Sequence, residues 1–485
     1  MFAAPAGWAY PALPDYASPE AVRIADTIVS YQLPTGGWWG TGFVGEPWEP
    51  GRPRSSHAVD GVEVASFDNG ATTSEMWFLA RVYRATGEER FKEAFQRGLD
   101  FIFAAQYPSG GWPQQYPLRG GYWDYVTFND NAMTRVMELL RDVAWRREPV
   151  GFVDEEYRRR AEEAFEKGIE YILRAQIEVD GRLTAWCAQH DPVTYEPRHG
   201  RPYEHPSISG SESVGVVRLL MSLPDPDERV RLAILSALEW FAEVQLPDGQ
   251  WARFYEIGTN WPIYSDRDGI VRYSLEEISA ERQSGYDWHG TWPAGLLREA
   301  EESGYLVRLY ESLPEYTSRR TPYPQIRFVR PAPGELASSR FSGELAFEIE
   351  IWTADPADLG EVRVEIDGVP VYAAQGHSPA PGELRIDTSE LTDGFHTVAV
   401  HVESKALGRQ FTRTARFMTE NGWRLVEEMR PPVTSGWFGS TGAVIDFLQA
   451  SERTAGWTYA TGDGQSFFGA PSRMVRTGAG EESLT

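Results

Sequence analysis

Cysteine is almost missing from this chain: among 485 residues there is only Cys187. A lone thiol excludes an intrachain disulfide and any zinc cluster built on cysteine. Lysine is nearly as scarce. Lys92, Lys167 and Lys405 are the only lysines among 46 basic residues, so a concentrated positive site has to be made from arginine. No run of about 20 apolar residues is available to span a bilayer. Positive charge as a whole is in deficit, since 71 acidic residues leave a formal net charge of −25. That argues against nucleic acid or an anionic membrane as the main partner, because both call for a cationic face. The opening MFAAPAGWAYPALPDY has neither the basic nor the long apolar stretch of a secretion signal, so it assigns no compartment.

What the chain does have is length and aromatic residues. The length predicts two or three domains, and 18 tryptophans supply large areas to bury. Four stretches repeat a pattern: YQLPTGGWWG, AQYPSGGWPQQ, AQIEVDGRLTAW and VQLPDGQWARF. In each, a helix-like segment ends in glutamine (Gln32, Gln106, Gln176, Gln245), a glycine turn follows, and then a tryptophan. The preceding segments have helical spacing, as in RFKEAFQRGLDFIFAAQ, where Phe91, Phe95, Leu99, Ile102 and Phe103 share one face. Second helices are expected over about 71–86, 130–146, 211–223 and 291–303. A period near 70 residues is too long for a simple helical hairpin and suits two helices plus a functional loop. The expected class is therefore mainly α, an α/α toroid over residues 1–321, with an open helical solenoid as the alternative. Trp38, Trp112, Trp186 and Trp251, at equivalent places, read as core in preference to sugar platforms.

From about Pro322 the pattern changes to period-two alternation with Gly, Pro and Asp turns, which predicts a β-sandwich of immunoglobulin-like size over 322–420. Residues 421–485 read as the start of a further β-rich module.

The chemistry-bearing residues gather at the entries of the second helices. SFDNG places Asp68 and Asn69 there in one unit, and TFNDN places Asn129, Asp130 and Asn131 in the next. Helix capping is the simpler reading of the residues alone. Yet Thr72 and Glu75 have the spacing of a capping box, which leaves Asp68 without that task. Two carboxylates with amides beside them suit an oxygen-binding cation such as calcium. The third and fourth units supply the opposite sign: Arg198, His199, Arg201 and His205, then Arg267, Arg272 and Arg282. Pairing with neighbouring acids explains any one of these arginines, but a planar guanidinium is also a natural carboxylate receptor. An acid half and an arginine half together describe a site for an acidic polymer.

The stretches QYPSGGWPQQYP, YVTFNDNAM, SFDNGATTSEMWFLARVY, RPYE with SISGSES, and ERQSGYDWHGTWP resemble, in order over residues 18–315, the motifs of polysaccharide lyase family 10, the pectate lyases. The resemblance implies calcium-dependent cleavage of polygalacturonate by anti β-elimination. It implies Asp68 and Asp130 as calcium ligands, Asn69 as a further contact to substrate, Arg201 as the base at C5, and Arg282 with Arg267 as receptors of a substrate carboxylate, Arg282 within the catalytic set. Asp68 is expected to touch substrate as well. Gln283 and His289 depart from the arginine and tyrosine often found at those places. An arginine base needs its pKa lowered by roughly 4 units, at about 1.36 kcal/mol per unit, so activity is expected to rise far into alkaline pH. A secreted monomer is expected, since polymeric pectin lies outside the cell. Two other classes stay open: a glycoside hydrolase using Asp68 and Asp130 as its carboxylate pair, and a non-catalytic polysaccharide-binding scaffold.

Overall fold

The protein is described by a computed structural model covering residue 10 and residues 12–421, except 180–181, 314–323, 354 and the side chain of Gln325, together with four short strands beyond 421. The division near residue 321 and most of the expected third module lie outside the described residues.

The chain forms two units. The first comprises Met1–Ala242, Gly249–Ile257 and Pro262–Thr317; the second comprises Glu243–Asp248, Gly258–Trp261 and Ser318–Thr485. In the first unit the helices are α1 (Pro19–Tyr31), α2 (Thr73–Thr86), α3 (Glu89–Ala105), α4 (Ala132–Ala144), α5 (Glu155–Ala175), α6 (Glu212–Met221), α7 (Glu228–Glu243), α8 (Ala280–Ser284), α9 (Trp292–Glu302) and α10 (Tyr305–Ser312). The apolar spacing of α3 buries Phe91, Phe95, Leu99 and Ile102 as its sequence dictates. Helices α2, α4, α6 and α9 touch one another in succession, so the loops that enter them lie side by side.

The repeated Gln–Gly–Trp motif has a structural cause. Each indole N–H donates to a carbonyl of the preceding helix: Trp38 to Ile28, Trp112 to Ile102, Trp186 to Ile172 and Trp251 to Phe241, at 2.7–2.8 Å. All four rings are buried, which makes them core. The glutamine amides fasten each turn to the next helix, with Gln32 donating to Gly36 and Ala94, Gln106 to Gly110 and Ala164, and Gln176 to Thr184 and Ala233. Buried amides and indoles must find such partners, and the repeat supplies them.

The expectation of a mainly α toroid followed by an immunoglobulin-like sandwich is corrected on both counts. Helix and strand are mixed through the first unit. The stretch before each entry joins a two-residue ribbon: Ala65–Ser66 with Gln115–Tyr116, Val126–Thr127 with Gln189–His190 and onward to Pro197–Arg198, Ile208–Ser209 with Phe254–Tyr255, and Trp251–Ala252 with His289–Gly290. Two residues carry too little alternation to be seen in a sequence. In the second unit a three-stranded sheet and a five-stranded sheet contribute to one core around Phe328, Phe347, Val364, Val400 and Phe417. Arg340–Phe341 pairs parallel to the strand Arg409–Thr419 at the edge of the larger sheet. Period-two alternation identifies strands without fixing which strands pair.

One buried acid in the first unit sets a pH dependence of stability. Glu75 on α2 is fully buried; Tyr10 donates to its Oε1 at 2.9 Å, and Oε2 has no partner among the described residues. Burial pushes its carboxyl up to about 7. The folded state therefore holds a proton that the unfolded chain releases above the ordinary carboxylate range, and stability falls as pH rises from about 4.5 through 7. Glu75→Gln is expected to match the parent at pH 4 and to exceed it by roughly 2–3 kcal/mol above pH 8, read by urea unfolding at both pH values.

Candidate active site

The ribbons bring two unusual turns together. Asp68–Gly70 and Asn129–Asn131 are single helical turns lying against each other at the entries of α2 and α4. Asn69, Asp130 and Asn131 have φ of 50°, 51° and 59°, the left-handed region that costs a residue with a side chain energy unless something holds it there. Phe128 and Asn129 both donate their N–H groups to the Ala188 carbonyl, which pins the second turn. Gly70, at φ +80°, leaves room for Arg135: a Cβ there would fall 2.7 Å from Nη1. On α6, Gly215 does the same for the Asn131 side chain.

Neither turn acts as a side-chain cap. Asn131, at the start of α4, makes no side-chain capping bond, and the Asn129 amide donates to Asp130 Oδ2 at 2.7 Å. The capping box expected at Thr72 and Glu75 does not form either. Thr72 takes φ +67°, and its hydroxyl donates to the carbonyls of Ser66 and Trp38 while accepting the Trp38 N–H, holding the repeat turn instead. Ser213 plays the same part for Trp186.

Asp68 is half-buried, and its Oδ1, which is fully covered, has no hydrogen-bond partner among the described residues. Burial raises its carboxyl, the charge of Asp130 adds to this, and Gln114 and Arg201 oppose it. Asp68 thus feels the charges of both Asp130 and Arg201. Among the described residues no three His, Cys, Asp or Glu side chains group as a metal site. The oxygens at hand are those of two carboxylates and the amides of Asn69 and Asn131, hard donors that suit calcium over zinc and leave positions for water or ligand oxygen.

The arginines meet around one ring. The guanidinium carbons of Arg201, Arg267 and Arg282 lie 5.0, 6.0 and 4.8 Å from the centre of Tyr203, which packs edge-on against Tyr286 at 5.3 Å. Each is paired with an acid. Arg201 binds Glu204 through its side chain and its own N–H, and Arg267 and Arg282 share Glu281. Arg198 and Arg272 point their charge elsewhere, to Asp191 with Glu196 and to Asp268. Burial is the largest single pull on Arg201 and favours its neutral form, but Glu204 and two nearby phenols outweigh it and hold the guanidinium above its ordinary value. Glu204 itself, drawn up by burial, is held below the usual carboxylate range by Arg201 and the Tyr286 hydroxyl, which donates to it at 2.8 Å. Of the two departures, Gln283 donates to the Ile278 carbonyl, and His289 Nε2 is 2.7 Å from the Tyr264 hydroxyl.

Sequence reasoning named Glu204 among the acids that would pair with the arginines, but it missed Tyr286, Gln114 and the pair Arg253–Glu212, whose charges meet at 3.1 Å in a buried setting where Asp130 also acts on Arg253. Glu204 stands in the RPYE motif and was legible as a partner; Tyr286 and Arg253 become visible only once the chain is folded.

Comparison with known proteins gives the family. The family model described as pectic acid lyase matches residues 32–250 and 247–297. A family 10 polysaccharide lyase from Cellvibrio cellulosa shares 36% identity over 58% of this chain and 92% of its own, with a TM-score of 0.51. An aspartate-to-alanine variant of a family 10 polysaccharide lyase from Cellvibrio cellulosa, in complex with trigalacturonic acid, shares 34% over the same shares, with a TM-score of 0.52. No curated protein sequence matches. Fold and site together define a polysaccharide lyase. The chain belongs to the pectic acid lyase family, polysaccharide lyase family 10, and is a pectate lyase.

Proposed function

We propose that this pectate lyase cleaves α-1,4-polygalacturonate by calcium-dependent anti β-elimination, with Arg201 as the base. The observation that carries the reading is that the Asp68 turn, with a buried unpartnered oxygen, lies against the Asp130 turn, and that the charge of Arg201 acts on Asp68. Asp68 and Asp130, with Asn69 beside them, would hold calcium, which supplies charge neutralisation of the substrate carboxylate and so acidifies the adjacent C5–H. Arg282 and Arg267, turned from Glu281 to substrate, bind a carboxylate with their planar forks. Arg201 takes the C5 proton, the electron pair forms the C4–C5 double bond, and the C4–O bond breaks, its oxygen taking a proton from water. Glu204 and Tyr286 fix where Arg201 points. Because Glu204 also favours the protonated guanidinium, the free enzyme needs high pH to present a base. We place the enzyme outside the cell, acting as a monomer.

The test is ultraviolet absorbance of polygalacturonate digests at alkaline pH, with and without chelator. Absorbance that rises only when calcium is available is the expected result. New reducing ends without absorbance, persisting in chelator, would replace elimination with hydrolysis at the same two carboxylates.

A further inference from the structure

In a chain so acidic, arginine guanidinium groups are generally matched by carboxylates, and Arg119 is not. Its guanidinium makes no hydrogen bond or ion pair with any described residue, and its Nε is buried without a partner. The neighbouring carboxylate of Asp124 is occupied by the backbone, accepting the N–H groups of Arg119 and Gly120 at 3.1 and 2.9 Å. Arg119 is nevertheless held in place, its guanidinium carbon 3.5 Å from the centre of Trp123, which packs on Tyr122 at 4.3 Å. Stacking of this kind orients a guanidinium and leaves its edge free to bind.

The loop that carries it borders the site. Gln115–Tyr116 pairs with Ala65–Ser66, two residues before Asp68, and the Gln114 N–H donates to the Trp123 carbonyl at 2.9 Å. Arg119 follows Tyr116 by three residues, which limits its backbone to about 10 Å from that ribbon. Burial raises the Tyr122 phenol, and the charges of Arg201, Glu204 and Asp68 all act on it, so the loop lies within their field.

We propose that Arg119, preset by Trp123, is the carboxylate receptor of an adjoining subsite, binding a second uronate residue of the chain whose cleaved residue lies at Asp68 and Arg201. The proposal rests on the reading of the site as one for polygalacturonate. The variant Arg119→Met keeps an unbranched stem on Trp123 and removes the charge; Arg119→Lys keeps the charge without the fork. Arg119→Met is expected to raise KM for polygalacturonate about tenfold, the worth of one charge-assisted contact, with kcat changed less than about threefold and Tm unaltered. Arg119→Lys should fall between parent and Met variant. An unchanged KM in Arg119→Met, or equal shifts in the Met and Lys variants, would overturn the subsite. A parent enzyme inactive on polygalacturonate would overturn the underlying reading instead, before any variant is compared.

Discussion

Arg201→Ala is expected to lower kcat on polygalacturonate by about a thousandfold while the protein stays folded. A general base is worth about 10²–10⁴ in rate, and no lysine is at hand to replace it, since Lys92 and Lys167 lie on α3 and α5 and Lys405 in the second unit. The pH profile makes the test specific. Glu204 holds the Arg201 guanidinium above its ordinary value, so the neutral base is scarce below that value and the rate should climb roughly tenfold per pH unit through the alkaline range. Glu204→Gln removes both the charge and the strong acceptor that favour the protonated form. Its profile should therefore move to lower pH, even though the arginine loses an orienting partner and the maximum drops. A change in folded structure alone lowers the whole curve without displacing it. In the calcium-free protein burial and Asp130 help Asp68 keep a proton, which calcium on binding would displace. Steady-state rates of Arg201→Ala and Glu204→Gln across pH 6–11, with circular dichroism on each, decide the matter. An Arg201→Ala variant within threefold of the parent, or a parent with its optimum near pH 5, would remove Arg201 from the role.

The residues differ in how far they could be read in advance. Gln32, Gln106 and Gln176 with their glycine turns and tryptophans were legible because one hydrogen-bonding problem, closing a helix end onto the next helix, is solved by the same residue types each time. The second helices were legible from apolar spacing. The fold class was not, because ribbons of two residues such as Ala65–Ser66 carry no periodicity, and because alternation in the second unit marks strands without their partners. At the site, Asp68, Asp130 and Arg201 came from motifs, and the structure sets Asp68 within the field of the other two. Glu204 and Tyr286 stand 82 residues apart, and no local pattern announces such a contact. The capping box at Thr72 shows the opposite failure. A correct local spacing lost to a tertiary demand, the buried backbone of Trp38 and Ser66 needing the Thr72 hydroxyl more than the helix did.

That lost cap sharpens the second large effect, at Asp68. If Asp68 were a helix cap, asparagine would serve nearly as well, since both side chains accept backbone N–H groups. If it is a cation ligand, the exchange removes the charge that binds calcium and is expected to cut activity by about a hundredfold or more at fixed calcium. Stability should move the other way. The parent in chelator keeps two carboxylates within each other's field, one of them with a buried, unpartnered oxygen, and Asp68→Asn relieves both repulsion and charge burial. The variant should melt about 2–4 °C above the parent in chelator, the shift that about 1 kcal/mol produces in a domain of this size. Calcium should then raise the parent's Tm, because an ion that binds the folded state stabilises it by mass action, and leave that of the variant almost unmoved. Calorimetry of both proteins with calcium and with chelator, beside their rates, separates the cases. An Asp68→Asn enzyme that is less stable in chelator yet still active would return Asp68 to a structural role, whereas loss of activity together with gained stability is what a site that keeps two acids apart from their cation requires.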